Sequence, residues 1–248
     1  MTDVATKTRA VLLDIEGTTT PIAFVHDVLF PFAHDHVRQY LNQHSKSSEV
    51  QDDIAALLRE HALDQERGEQ PAQIDKVSSS TEEIVGYVDW LISRDRKSPA
   101  LKTLQGKIWE QGYRDGILKA PLFDDVVPNL VRLRKRGMSI AIFSSGSVLA
   151  QKLLFGYTET GDHTDLIDQY FDTGVGSKVT SSSYSEIARR LELLPTEVIF
   201  ASDVTNELAA ARDAGMFTLL CLRPGNQPQS NAEQFQTIQS FSQILSGQ

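Results

Sequence analysis

Four short apolar runs, each stopped by a polar cluster, recur along the chain at Ala10–Leu13, Met138–Phe143, Val198–Ala201 and Met216–Leu222. Continuous runs of this length, bounded by turn-forming residues, suit strands buried on both faces of a sheet. Helical periodicity fills the intervals at Asp124–Arg136, Val148–Phe155, Ser183–Leu194 and Asn206–Ala214. Gly137 and Gly215 stand where left-handed helix caps belong. Strands alternating with helices predict an α/β fold, a doubly wound, parallel, Rossmann-like sheet.

The first run is set apart from the other three. Between it and the next lies a segment, 21–121, with helical periodicity at Val28–Leu41, Val50–Ala62, Thr81–Arg94 and Leu101–Trp109 and no clear strand. Asp64–Ser80 is polar, contains Pro71 and three consecutive serines, and is expected to be a loop. The expected organisation is a catalytic core of 1–20 and 122–248 with an all-helical cap, 21–121, inserted after the first strand. Ligands of open α/β sheets bind outside the carboxyl ends of the strands, so an insert leaving the first strand there is placed to act as a lid. Tyr87, Trp90 and Trp109 could line a pocket in such a lid, but packing inside the insert is the simpler expectation for each. Lys107 and Arg114 are weaker candidates to reach the site.

Composition narrows the functional classes. Of 248 residues, 40% are hydrophobic and 23% charged, and the net charge of −9 argues against a general nucleic-acid binder, which needs many cations to neutralise phosphates. Neither 21–120 nor the remainder carries net positive charge. The basic cluster Arg132–Arg136 is expected to be a solvated last helical turn, favoured by the helix dipole. The single cysteine, Cys221, excludes an intrachain disulfide and lies in an apolar run, so it is expected in the core. Polar residues precede a first apolar run too short for a signal-peptide core or a membrane span, which points to the cytoplasm and away from membranes.

Three strand ends carry residues suited to phosphate chemistry. The first continues as Asp14-Ile15-Glu16-Gly17-Thr18-Thr19-Thr20: a carboxylate that can act as a nucleophile, a second acid two residues on, and a glycine that lets the chain turn sharply. Turn-capping acids would give the same string. The second ends in Ser144-Ser145-Gly146-Ser147 and enters a helix, where hydroxyls and free amides can hold an anion or simply cap the helix. The third ends in Ser202-Asp203-Val204-Thr205-Asn206-Glu207, where an acid could join Asp14 in an oxygen-ligand site suited to Mg²⁺. Lys178 lies in a loop before a helix, a place where lysines are usually solvated.

Taken in order, Asp14, Ser144, Lys178 and Asp203 resemble the motif series of the haloacid dehalogenase-like hydrolases, across the whole chain. Within that superfamily the chain is most similar to the enolase-phosphatases (acireductone synthases) of methionine salvage. The matching stretches are Asp14–Ile22 with Phe24-Val25, Leu29-Phe30-Pro31, Ser144–Ser147 with Ala150–Gly156, Tyr170–Thr173, Asp203–Thr205 and Arg223-Pro224-Gly225-Asn226. Glu16 is diagnostic, because most phosphatases of the superfamily have Asp there.

The resemblance implies a phosphoric monoester hydrolase with an added enolisation step. Its substrate would be a small phosphorylated molecule, 2,3-diketo-5-methylthiopentyl 1-phosphate, and its products the acireductone and phosphate. Asp14 would be the nucleophile and Glu16 the general acid/base, whose longer reach could also serve enolisation. Ser144, the amide of Ser145 and Lys178 would hold phosphate. One Mg²⁺ per chain would be held by Asp14, the main-chain carbonyl of Glu16 and Asp203. The expected assembly is a monomer. A phosphatase of another small ester keeps the same fold. A receiver-like phospho-switch shares the acids and lysine, but such domains are about half as long and lack the helical insert.

Overall fold

The computed structural model describes residues 7–75, 80–94 and 96–245. The chain falls into two compact units, Met1–Val25 with Lys119–Gln248, and His26–Leu118.

The first unit is built on a six-stranded, wholly parallel sheet. Its strands are β1 (Ala10–Leu13), β2 (Ser139–Phe143), β3 (Gln169–Phe171), β4 (Val198–Ser202), β5 (Phe217–Cys221) and β6 (Gln236–Ile238), in spatial order β3-β2-β1-β4-β5-β6. β1 lies at the centre, with Ala10 to Leu13 in register with Ser139 to Ile142 on one side and Val198 to Ala201 on the other. All four of its residues are fully buried, as a strand covered on both faces requires. The order reverses direction at β1, so the carboxyl ends of β1, β2 and β4 share the switch point where such sheets bind ligands.

The four expected strands are present within a residue of their expected ends, and β3 and β6 are two that the hydrophobic runs did not show. Each is a three-residue edge strand with mixed polarity, Gln169-Tyr170-Phe171 and Gln236-Thr237-Ile238, so neither produces a continuous apolar run. The helices following the insert are α5 (Val126–Lys135), α6 (Val148–Gly156), α7 (Ser181–Arg190) and α8 (Thr205–Asp213). Gly137 and Gly215 have positive φ and close α5 and α8 as expected, each amide bonding back into the last turn. Cys221 is buried in β5, and burial pushes its thiol up to about 12.

The basic cluster on α5 is not merely solvated. Arg132 donates from Nη2 to the carbonyls of Phe241 (2.9 Å) and Ile244 (3.2 Å), and Arg134 Nη1 pairs with Asp168 at 2.7 Å. Asp168 in turn accepts the Ile140 amide at 2.8 Å, so the cluster fastens α5 to the carboxyl-terminal segment and to the β2–β3 edge.

The second unit contains α1 (Phe30–His44), α2 (Ser48–Glu66), α3 (Thr81–Ser93) and α4 (Pro99–Arg114), with a π-helical turn over Phe24–Leu29 leading into α1. Leu41, Leu57, Ile84, Leu91 and Leu104 form its apolar centre, each at most 1% exposed. Ser80 and Glu83 make a reciprocal capping box at the start of α3. The loop expected over Asp64–Ser80 begins later than its polarity suggested, and residues 76–79 of it lie outside the described residues. Asp64 is in the last turn of α2 and only 2% exposed, held by the Tyr87 hydroxyl (2.8 Å) and Arg96 Nη2 (2.5 Å). Two strong donors offset the cost of burying a carboxylate.

The insert's aromatics pack within its own unit. Tyr87 stacks with Trp90 at 5.8 Å between ring centroids, and Trp109 Nε1 donates to the Leu29 carbonyl at 2.7 Å. Lys107 pairs with buried Asp53 at 2.6 Å, and Arg114 with Glu110 one turn earlier. Each cation therefore has an acidic partner within the insert.

Candidate active site

Directly after β1 the chain makes a tight loop. The Ile15 carbonyl accepts the amides of Thr18, Thr19 and Thr20 at 3.1, 2.9 and 3.0 Å, and the Gly17 amide returns to the Thr20 carbonyl at 2.9 Å. Gly17 has φ of +66°, and a Cβ there would press on the Asp203 carboxylate, so only glycine fits. Asp14 and Glu16 thereby stand on the same side of the switch point.

Asp14 is 2% exposed and fully engaged. Its Oδ1 accepts the Ile15 amide at 2.8 Å and the Lys178 ammonium at 2.6 Å, and its Oδ2 accepts the Ser202 hydroxyl at 3.2 Å. Lys178 is also buried, and its Nζ lies 2.8 Å from Glu207 Oε2. Burial opposes the ammonium charge, but Asp14 and Glu207 more than offset it and hold Lys178 above its ordinary range. The loop carrying Lys178 is braced from α7: the Tyr184 hydroxyl donates to the Lys178 carbonyl and the Ser183 hydroxyl to the Ser177 carbonyl, both at 2.7 Å.

Glu16 is partly buried at the loop, 3.4 Å from the Ser144 hydroxyl. Burial and the adjacent Asp14 charge push its carboxyl above the usual range. Ser144 ends β2; its hydroxyl accepts the Gly146 amide at 3.0 Å, while Ser145 is exposed beyond it and Ser147 caps α6. Buried Gln151, on α6, braces this turn by donating to the Gly146 (2.8 Å) and Phe171 (2.9 Å) carbonyls. Asp203, just past β4, is buried, and its carboxyl is pushed up to about 7, first by burial and then by the Asp14 charge.

The six expected site residues therefore lie at the carboxyl ends of β1, β2 and β4 and in the loop before α7. Sequence reasoning missed Glu207, which joins Ser202 (3.0 Å) and Lys178 behind Asp14, and also Tyr184, Ser183 and Gln151 as braces. The only signal for Glu207 was an acid in the first turn of α8, a position that usually serves the helix dipole.

Asp14, Glu16, Asp203 and Glu207 are four acids gathered around one lysine, an imbalance that a cation would relieve. Among the described residues no three His, Cys, Asp or Glu side chains form a metal cage. Asp14, Asp203 and a main-chain carbonyl are instead a sparse oxygen set, of the kind that leaves room for the waters Mg²⁺ retains. Of the loop carbonyls, Ile15, Gly17 and Thr18 accept protein donors, whereas that of Glu16 accepts none among the described residues. Residues and carbonyl together fit the ion.

Residues 8–215 match the haloacid dehalogenase-like hydrolase family. The chain is 48% identical over 234 residues to Enolase-phosphatase E1 of Synechococcus elongatus, covering 94% of this chain and 96% of that protein. It is 44% identical over 246 residues to Enolase-phosphatase E1 of Danio rerio, covering 96% and 94%. Among solved structures, the UTR4 protein of Saccharomyces cerevisiae superposes with a TM-score of 0.76 at 36% identity, covering 94% of this chain and 98% of that one. The chain belongs to the enolase-phosphatase family of haloacid dehalogenase-like hydrolases.

Proposed function

We propose that this chain converts 2,3-diketo-5-methylthiopentyl 1-phosphate, through its enol, to the acireductone and inorganic phosphate. The observation that carries this reading is the buried Asp14–Lys178 pair with Glu16 two residues along the same loop.

Asp14 is the nucleophile. One carboxylate oxygen forms a bond to phosphorus as the bond to the enol oxygen breaks, giving an aspartyl-phosphate. Lys178 steadies the attacking carboxylate at 2.6 Å and offers positive charge to the phosphoryl oxygens, and Ser144 with the Ser145 amide supplies further donors. Glu16, whose carboxyl burial and the Asp14 charge push above the usual range, gives a proton to the departing oxygen. The resulting carboxylate then takes a proton from the water that opens the aspartyl-phosphate, which restores Asp14. In the preceding step a base removes a proton from the phosphate-bearing carbon as the electron pair passes to the adjacent carbonyl oxygen; Glu16 in its carboxylate form would take that proton and then carry it to the departing oxygen.

Asp14, the Glu16 carbonyl and Asp203 hold one Mg²⁺, which when bound offsets the repulsion between the Asp14 carboxylate and the phosphate. The same reading makes a small phosphorylated molecule the only partner required and places a monomer in the cytoplasm. No helix among the described residues is long and apolar enough to cross a membrane.

The test is turnover of the diketopentyl phosphate with and without Mg²⁺, beside a panel of simple phosphate esters. Preferred, Mg²⁺-dependent turnover of the diketone is expected. Hydrolysis of the simple esters with none of the diketone would keep the phosphatase chemistry and remove the substrate.

A further inference from the structure

The Arg223-Pro224-Gly225-Asn226 stretch follows β5 and has no part in the chemistry above, yet two of its side chains reach the Asp14 loop. Arg223 Nε donates to the Thr18 carbonyl at 3.1 Å, and Asn226 Nδ2 donates to the Gly17 carbonyl at 2.9 Å and the Cys221 carbonyl at 3.2 Å. Consecutive carbonyls of the loop are thus clamped from one segment.

The other end of the Asn226 amide is unusual. Two carbonyls can be satisfied only by an NH₂ group, so the side-chain orientation is dictated and Oδ1 must face away from them. That oxygen is buried and accepts no hydrogen bond among the described residues. A buried oxygen so placed is destabilising unless a donor arrives. It stands beside the Asp203 carboxylate: a Cβ built on Gly17 would lie 2.8 Å from Asn226 Oδ1 and 2.6 Å from Asp203 Cγ. Two oxygen-bearing groups, one of them a carboxyl, thus flank a single point beside Gly17.

We propose that Asn226 is a positioning residue for the cation. Its NH₂ group fixes the Gly17 carbonyl, and so the loop that presents the Glu16 carbonyl. Its Oδ1 accepts a hydrogen bond from the hydration shell of the ion held by Asp203. This rests on the assignment of Asp14, the Glu16 carbonyl and Asp203 as the residues that hold Mg²⁺. Partners of this kind, one step removed from a metal, typically contribute 10–100-fold to its affinity.

The experiment is calorimetric titration of Mg²⁺ alone into substrate-free, phosphate-free enzyme, with circular dichroism to verify folding. Asn226→Ala and Asn226→Ser are compared with wild type and with Asp203→Asn. The Asn226 variants are expected to raise the Mg²⁺ Kd about 10-fold or more, and Asp203→Asn to abolish binding. The serine variant decides the matter if the alanine variant does not fold. Lost binding in Asp203→Asn with an unchanged Kd in folded Asn226 variants would overturn the role of Asn226 alone. Unchanged binding in Asp203→Asn would overturn the cation assignment beneath it.

Discussion

Lys178 is shared between two carboxylates: its Nζ lies 2.6 Å from Asp14 Oδ1 and 2.8 Å from Glu207 Oε2. The lysine is thus a structural counter-ion in addition to its proposed role as a phosphate ligand. Lys178→Ala leaves both acids buried without their cation, so stability should fall by about 3–5 kcal/mol in urea unfolding. Phosphate release should fall at least about 10²-fold, from loss of a charge aimed at the transferring group.

Glu207→Gln separates positioning from chemistry. The amide keeps a partner for Ser202 but removes the second anion from Lys178, whose ammonium then rests on Asp14 alone. The expected result is a change mainly in kcat, with KM for substrate within a few-fold of wild type, in steady-state phosphate release. A rise confined to KM would mean that Glu207 serves substrate binding instead.

Stability of the metal-free protein should depend on pH in an unusual direction. Asp203 is raised from 3.8 to about 7 in the fold, and Glu16 is raised as well, so between these limits the native state binds more protons than the unfolded chain. By linkage, stability then decreases as pH rises through that window. In EDTA, Tm should be higher near pH 5 than near pH 8. The increment produced by Mg²⁺ should grow over the same range, because the ion needs the deprotonated carboxylates. A Tm in EDTA that climbs from pH 5 to 8 would contradict the buried acid cluster.

Glu16→Gln removes the proposed proton donor while keeping the side chain's size. Phosphate release should fall about 10²–10⁴-fold. Enol formation should fall with it if the same carboxyl is the enolising base. Enolisation at the wild-type rate in this variant would assign that proton to another group.

Arg223 lies between the rings of Phe123 and Phe241 at 4.7 and 4.8 Å and grips Asp125 with both Nη atoms, at 2.7 and 3.2 Å. Burial would raise the Asp125 carboxyl, but Arg223 and the Phe241 amide hold it below its ordinary range. A lysine cannot reproduce the two-pronged contact. Arg223→Lys should cost about 1–3 kcal/mol in urea unfolding, and a neutral result would remove Arg223 as the clamp of the Thr18 carbonyl.

The sheet was legible wherever burial on both faces left an unbroken apolar run, as at Ala10–Leu13 and Val198–Ala201. It was not legible at Gln169–Phe171 and Gln236–Ile238, where strand identity comes from pairing with an inner neighbour rather than from the residues themselves. Polarity misplaced the end of α2, because Asp64 is buried by Tyr87 and Arg96, residues 23 and 32 positions away. Arg132 was misjudged in the same way, its carbonyl partners lying more than a hundred positions along the chain. Of the candidate site, Asp14, Glu16, Ser144, Lys178 and Asp203 were singled out by the order of their motifs. Glu207, Gln151, Tyr184 and Asn226 act through contacts that only the fold creates.

The most direct measurement follows enol formation optically and phosphate release chemically, in wild type and Asp14→Asn, with the diketopentyl phosphate and Mg²⁺. With Asp14 as the nucleophile and enolisation preceding phosphoryl transfer, Asp14→Asn should accumulate enol while releasing no phosphate. Phosphate release by Asp14→Asn at a rate near wild type would contradict the assignment.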